Sequence, residues 1–94
     1  MPLRERDMTV MEQGVRSSHF RLSELTAGRA AEVLSVSGDR ELRRRLLEMG
    51  FCNGARVELV RRAPLGDPIE FRLRGYLLSL RNEQAQHVLV KTIR

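Results

Sequence analysis

Residues 69–74, Ile-Glu-Phe-Arg-Leu-Arg, alternate apolar and charged without a break. Strict alternation suits a strand with one face buried and the other in water, because successive side chains of a strand point to opposite faces. Ile69, Phe71 and Leu73 take one face, and Glu70, Arg72 and Arg74 the other. Gly75 interrupts the pattern. Tyr76, Leu78 and Leu80 then alternate with Leu77, Ser79 and Arg81, which predicts a second strand over 76–81.

The same logic extends in both directions. Residues 29–36 (RAAEVLSV) are rich in small and β-branched groups and predict a strand that ends at Ser37-Gly38. Residues 56–63 (RVELVRRA) predict another, with Val57 and Leu59 inward. Val60 followed by Arg61-Arg62 breaks the alternation there, so a bulge or a departure into a loop is expected. Ala63-Pro64-Leu65-Gly66 suits a type I turn, with proline second and glycine fourth, and Asp67-Pro68 follows it. Asn53-Gly54 is a further turn. Val88 and Val90, with Leu89 and Ile93, make the final strand. Short helical turns are expected at Leu22–Leu25, with Ser23 as its cap, and at Asn82–Gln86.

One segment, 40–49 (RELRRRLLEM), reads as a full α-helix. Asp39 is a good N-cap, and its charge suits the positive helix end. Leu42, Leu46 and Met49 fall at i, i+4 and i+7 on one stripe, and Glu41 and Arg45 can pair at i, i+4. Gly50 fits the left-handed stop, which lets Phe51 fold back on Leu46. Five short strands, one helix after the first, and turns roughly every 8–12 residues predict a mainly β chain closed into a small barrel.

The 94 residues fit one domain. Residues 1–20 show no sustained period and balance Arg4, Arg6 and Arg16 against Glu5, Asp7 and Glu12. They read as a flexible N-terminal tail, and 21–94 as the folded domain. The chain carries 17 basic against 12 acidic side chains, a net charge of +5, and the whole excess lies in the folded part.

Composition removes several functions. Cys52 is the single cysteine, so an internal disulfide, a Cys-rich zinc site, an iron–sulfur cluster and CxxC redox chemistry are all excluded, and a reducing compartment is the simpler reading. The longest apolar runs are a few residues against the about 20 that a membrane span needs, so no direct membrane insertion is expected. The N-terminus lacks the apolar stretch of a secretory signal, which leaves a cytoplasmic protein as the expectation. The phosphate-cradling patterns GxxxxGK[ST] and GxGxxG do not occur. His19, His87 and Cys52 are scattered, and the carboxylates show no ligand grouping. Neither a catalytic site nor a cofactor is expected, and no metal site is assigned.

Several elements together resemble the FeoA family, small cytosolic accessory proteins of bacterial ferrous-iron uptake. They are Leu22-x-x-Leu25-x-x-Gly28, Leu42–Gly50 (LRRRLLEMG), Asn53-Gly54, Ala63–Pro68 (APLGDP), Gly75-Tyr76-x-Leu78-Ser79-Leu80-Arg81 and Ala85. The resemblance covers about residues 22–93, and APLGDP followed by GYxLSLR is its most specific part. It implies an SH3-like barrel that binds the FeoB-type membrane transporter of Fe(II) on its cytosolic side and supports its assembly or activity.

Partner contacts are then expected on the loop Ala63, Pro64, Leu65, Gly66, Asp67 and Pro68, on the adjoining strand arginines Arg72 and Arg74, and on the helix at Arg44 and Leu47. Binding residues often sit on loops held by a rigid scaffold, and arginine suits bidentate carboxylate contacts. The rival is a basic barrel that binds nucleic acid through Arg61, Arg62, Arg72, Arg74 and Arg81. Glu58 and Glu70 lie among those arginines, and Tyr76 alone offers an aromatic for base stacking, so no nucleic acid is expected. An Fe(II) chaperone is a weaker third reading, and weak self-association through strand edges stays open.

Overall fold

The computed structural model describes residues 19–93. Six strands form a single antiparallel sheet: β1 (His19–Arg21), β2 (Ala30–Val36), β3 (Arg56–Arg62), β4 (Ile69–Leu73), β5 (Tyr76–Leu80) and β6 (Val88–Thr92). Their order across the sheet is β1-β6-β2-β3-β4-β5. A short 3-10 turn, Leu22–Glu24, follows β1, helix α1 (Arg40–Met49) follows β2, and a one-turn helix α2 (Asn82–Ala85) joins β5 to β6.

Five of these strands lie where alternation and turn chemistry put them. The sixth, β1, corrects the strand count and the place where the fold begins. The boundary drawn after residue 20 falls inside it: His19, Phe20 and Arg21 pair with Lys91, Val90 and Leu89. Three residues are too few to display a period, and β1 is fixed by its partner rather than by its own pattern. The rest of the expected tail, residues 1–18, lies outside the described residues.

The sheet curls because two strands are bulged. The register of β2 on β6 shifts between Val33 and Ser35, and that of β3 on β4 between Leu59 and Arg61. The second is the interruption expected at Val60. An extra residue on one strand bends it and raises the local twist, which folds a short sheet over its own inner face. Val33, Val57, Leu59, Ile69, Phe71, Val88 and Val90 fill that face with no exposed surface at all.

Helix α1 closes one side. Asp39 Oδ1 accepts the Leu42 N–H at 2.8 Å, which satisfies one donor of the first turn. Gly50 adopts φ 112° in the left-handed region, and the Phe51 N–H donates to the Leu46 carbonyl at 3.1 Å. The stop therefore swings Phe51 into the core, where it is fully buried beside Leu46. Leu42 and Met49 pack half-buried at the margin. The ion pair along the helix is Arg44–Glu48 at 3.7 Å, not the expected Glu41–Arg45; it is well exposed and stabilises little.

The 3-10 turn and α2 pack against each other. Ser23 is not the cap of the 3-10 turn. The Glu24 carboxylate accepts the Arg21 N–H at 3.0 Å instead, and Arg62 binds the Ser23 carbonyl. Ser23 precedes the last residue of a three-residue turn, too late to cap its start.

Candidate docking surface

The loop between β3 and β4 is pinned at both ends. The Gly66 N–H donates to the Ala63 carbonyl at 2.7 Å, as the expected turn requires, and the Ala63 N–H donates to the Pro68 carbonyl at 3.0 Å. Asp67 faces out of the loop toward α2. Its Oδ1 accepts the Asn82 N–H at 2.7 Å, and its Oδ2 lies 4.0 Å from Arg81. Asp67 thus caps a helix that starts 15 residues later and fastens the loop to it. At the loop tip Leu65 is 97% exposed, so a large apolar side chain stands in water on a fixed backbone.

The neighbouring strands present a charged outer face, and their register assembles it in rows. Glu58 lies opposite Arg72, with Arg72 Nη1 3.3 Å from the carboxylate, and Leu77 lies beyond Arg72 on β5. Arg61 lies opposite Glu70 at 2.8 Å, and Ser79 lies beyond Glu70. Arg56, at the start of β3, and Arg74, just past β4, occupy the next row at the end of the sheet and line one shallow groove with Glu58 and Arg72. Among the described residues neither Arg56 nor Arg74 joins an ion pair. Arg74 instead donates to Cys52 Sγ at 3.0 Å.

The bulge gives Arg62 a different task from Arg61. Its Nη2 reaches across to the Ser23 and Leu25 carbonyls at 2.6 and 2.9 Å, so its guanidinium closes the barrel. A second groove joins the loop to the edge of the sheet, lined by Arg61 and Arg62, the loop residues Ala63, Pro64 and Pro68, and Glu70 and Ser79. The structure therefore brings the expected loop residues beside β5, and Arg72 and Arg74 onto one face. Arg44 and Leu47 stand exposed on α1, which contacts β2 and whose C-terminal cap, Gly50, lies beside Leu73 and Arg74.

Sequence reasoning missed Arg56, whose proximity to Arg74 depends on the β3–β4 register. It also missed the exposure of Leu77 (56%) and the extent to which Tyr76 is open (75%). Alternation assigns Tyr76 to the inward phase, but it opens the edge strand, which has a neighbouring strand on one side only, whereas Leu73 opposite it is buried. Among the described residues no group of three or more His, Cys, Asp or Glu side chains is placed to hold a metal ion.

The FeoA domain model matches residues 20–92. The chain belongs to the FeoA family. It is 44% identical to the FeoA protein of Chlorobium tepidum, whose solution structure it matches with a TM-score of 0.75 over 80% of this chain and 71% of that one. It is 33% identical to the FeoA of Stenotrophomonas maltophilia, with a TM-score of 0.69 over 77% of this chain and 89% of that one. That protein was crystallised with zinc and described as a prokaryotic SH3 domain protein and candidate ferrous iron transport activating factor. The expected SH3-like architecture is thus the fold of this family. A third relative, from Porphyromonas gingivalis, is a fusion of Fe(2+) transport protein A with the Fe(2+) transporter FeoB; it is 44% identical over 74 residues. Those residues are 79% of this chain and span 9% of the fusion protein. No helix among the described residues is long and apolar enough to cross a membrane.

Proposed function

We propose that this FeoA domain acts in ferrous-iron transport by docking on the cytosolic part of a FeoB-type transporter and supporting its assembly or activity. The observation that carries this reading is the Porphyromonas gingivalis relative, in which a domain 44% identical to this one is joined to the transporter in a single polypeptide. Covalent linkage raises the effective concentration of two modules wherever their geometry permits joint engagement. The surface agrees with such a role. A rigid loop carries an apolar tip, and the face next to it carries arginines, a combination suited to a partner with acidic and apolar contacts.

Leu65→Asp tests the docking loop. Leu65 is 97% exposed, so no packing depends on it and thermal unfolding should be unchanged. Loss of an interface anchor removes about 1 kcal/mol or more, roughly a fivefold weaker complex. Binding of wild type and variant to purified FeoB-type transporter, read by surface plasmon resonance, checks it. Equal affinities would remove the loop from the interface.

A further inference from the structure

The sheet has two edges, and they are treated differently. Edge strand β1 is only three residues long, carries Arg21 and gives way at once to a 3-10 turn. Short, charged edges of that kind deter pairing with another chain. Edge strand β5, Tyr-Leu-Leu-Ser-Leu, has none of these guards. It carries no charge and no proline, and it pairs with β4 through five consecutive positions without a bulge. Among the strands and helices described, it packs substantially on β4 alone.

Register decides which of its backbone groups are spare. The β4–β5 hairpin turns through Arg74 and Gly75, both at positive φ (55° and 85°), with Leu73 opposite Tyr76. A two-residue turn of that kind is closed by a pair that exchanges hydrogen bonds. Alternation then bonds Leu78 to Phe71 and Leu80 to Ile69. The N–H and C=O groups of Leu77 and Ser79 point away from β4, and among the described residues no loop or turn hydrogen bond takes them up. Leu77 adds an exposed apolar side chain at the same position.

Charge says what fits there. Arg74 precedes β5 across Gly75 and Arg81 follows it directly, so an arginine stands at each end of an uncharged strand; the Arg81–Asp67 contact, 4.0 Å long and exposed, is weak enough for an incoming carboxylate to exchange with it. We propose that β5 is a strand-addition site that receives an extended segment of the transporter, apolar at its centre and acidic at its ends. The proposal rests on the docking reading above and supplies its mode. Main-chain hydrogen bonds to Leu77 and Ser79 give the affinity, Leu77 covers the apolar centre, and Arg74 and Arg81 select the acidic ends. A second copy of this chain is a poor occupant. Two β5 strands paired antiparallel would set the Arg74 end of one copy against the Arg81 end of the other, like charge against like. The groove that runs from Ala63 and Pro68 to Ser79 makes the loop and the edge one continuous surface.

Amide hydrogen exchange on the full chain, alone and with the cognate FeoB-type transporter purified in detergent, tests the proposal. Binding should slow exchange at Leu77 and Ser79 at least tenfold and affect Leu78 and Leu80, already bonded to β4, much less. Ser79→Pro removes one outward N–H, a substitution that edge strands tolerate, and should weaken binding about tenfold. Leu77→Lys, which restores a guard charge, should do the same even if the proline variant fails to fold. Transporter binding with unchanged exchange at Leu77 and Ser79 overturns the strand-addition mode and leaves docking intact. Protection that rises with the concentration of the domain alone assigns the edge to a second copy and also overturns it. No binding by wild type overturns the docking reading and this one together.

Discussion

Replacing Arg62 with alanine removes a guanidinium that joins two parts of the chain far apart in sequence. Its Nη2 donates to the Ser23 carbonyl at 2.6 Å and to the Leu25 carbonyl at 2.9 Å. A hydrogen bond to a charged group contributes about 1.5–3 kcal/mol where it is shielded. Arg62 is only half-buried, so water recovers part of each bond, and the expected loss for the pair is about 2 kcal/mol. For a domain of this size that lowers Tm by roughly 8–16 °C. Its neighbour Arg61 is the control. Arg61 pairs with Glu70 at 2.8 Å, but its side chain is 77% exposed, and an exposed ion pair is worth about 0.5 kcal/mol. Arg61→Ala should therefore move Tm by no more than about 4 °C. Salt separates the two further. At 1 M, where the Debye length is about 3 Å, the Arg61 contribution should vanish, while the Arg62 bonds to neutral carbonyls persist. Circular dichroism melts of both variants at low and high salt provide the comparison. Equal shifts for the two variants, or a shift below about 2 °C for Arg62→Ala, would refute the assignment of Arg62 to barrel closure.

Three further outcomes follow from the geometry. Asp67→Ala should release the Asn82 N–H, cost about 1 kcal/mol as other lost caps do, and speed amide exchange at Asn82 in particular; unchanged exchange there would show that Asp67 does not hold the loop to α2. Gly50→Ala places a Cβ at φ 112° and 3.2 Å from Leu73 Cδ2, so it should destabilise by about 1–3 kcal/mol, read as a lower denaturation midpoint at constant m-value. Labelled single-stranded RNA should bind more weakly than about 10⁻⁴ M at physiological salt, as judged by fluorescence anisotropy; micromolar binding that falls steeply with salt would favour a nucleic-acid role.

The parts of the fold that sequence reveals are those governed by local rules. Period two located β4 because Ile69, Phe71 and Leu73 all point inward, and all three are buried. The broken alternation at Val60 located the bulge, and Asp39 with Gly50 delimited α1 within a residue at each end. What stayed hidden depends on pairing between distant segments. Strand β1 exists because Phe20 meets Val90, and Phe20 alone shows no pattern. Arg61 and Arg62 are indistinguishable in sequence, yet the bulge sends one to Glu70 and the other to the Ser23 carbonyl. Asp67 sits beside a turn in sequence, and its partner is the first N–H of α2, 15 residues away. The candidate surface is legible in the same partial way: APLGDP announces a fixed loop, but its nearness to Ser79 needs the β4–β5 register.

The same register changes what the basic excess means. A phosphate track needs successive cations with no competing carboxylates, because each neutralised phosphate contributes by releasing counterions. On the outer face here, Arg72 is matched to Glu58 and Arg61 to Glu70, while Arg62 turns away to close the barrel. Among the described residues, Arg56 and Arg74 form no ion pair on these strands, although Glu32 lies opposite Arg56; both stand at one end of the sheet, beside the start of β5. In the strand-addition proposal, that local excess next to an unguarded strand edge would select for an acidic group on a short extended segment. On this face the arginine rows are interrupted by Glu58 and Glu70, so they do not form the continuous run of cations that a nucleic-acid backbone follows.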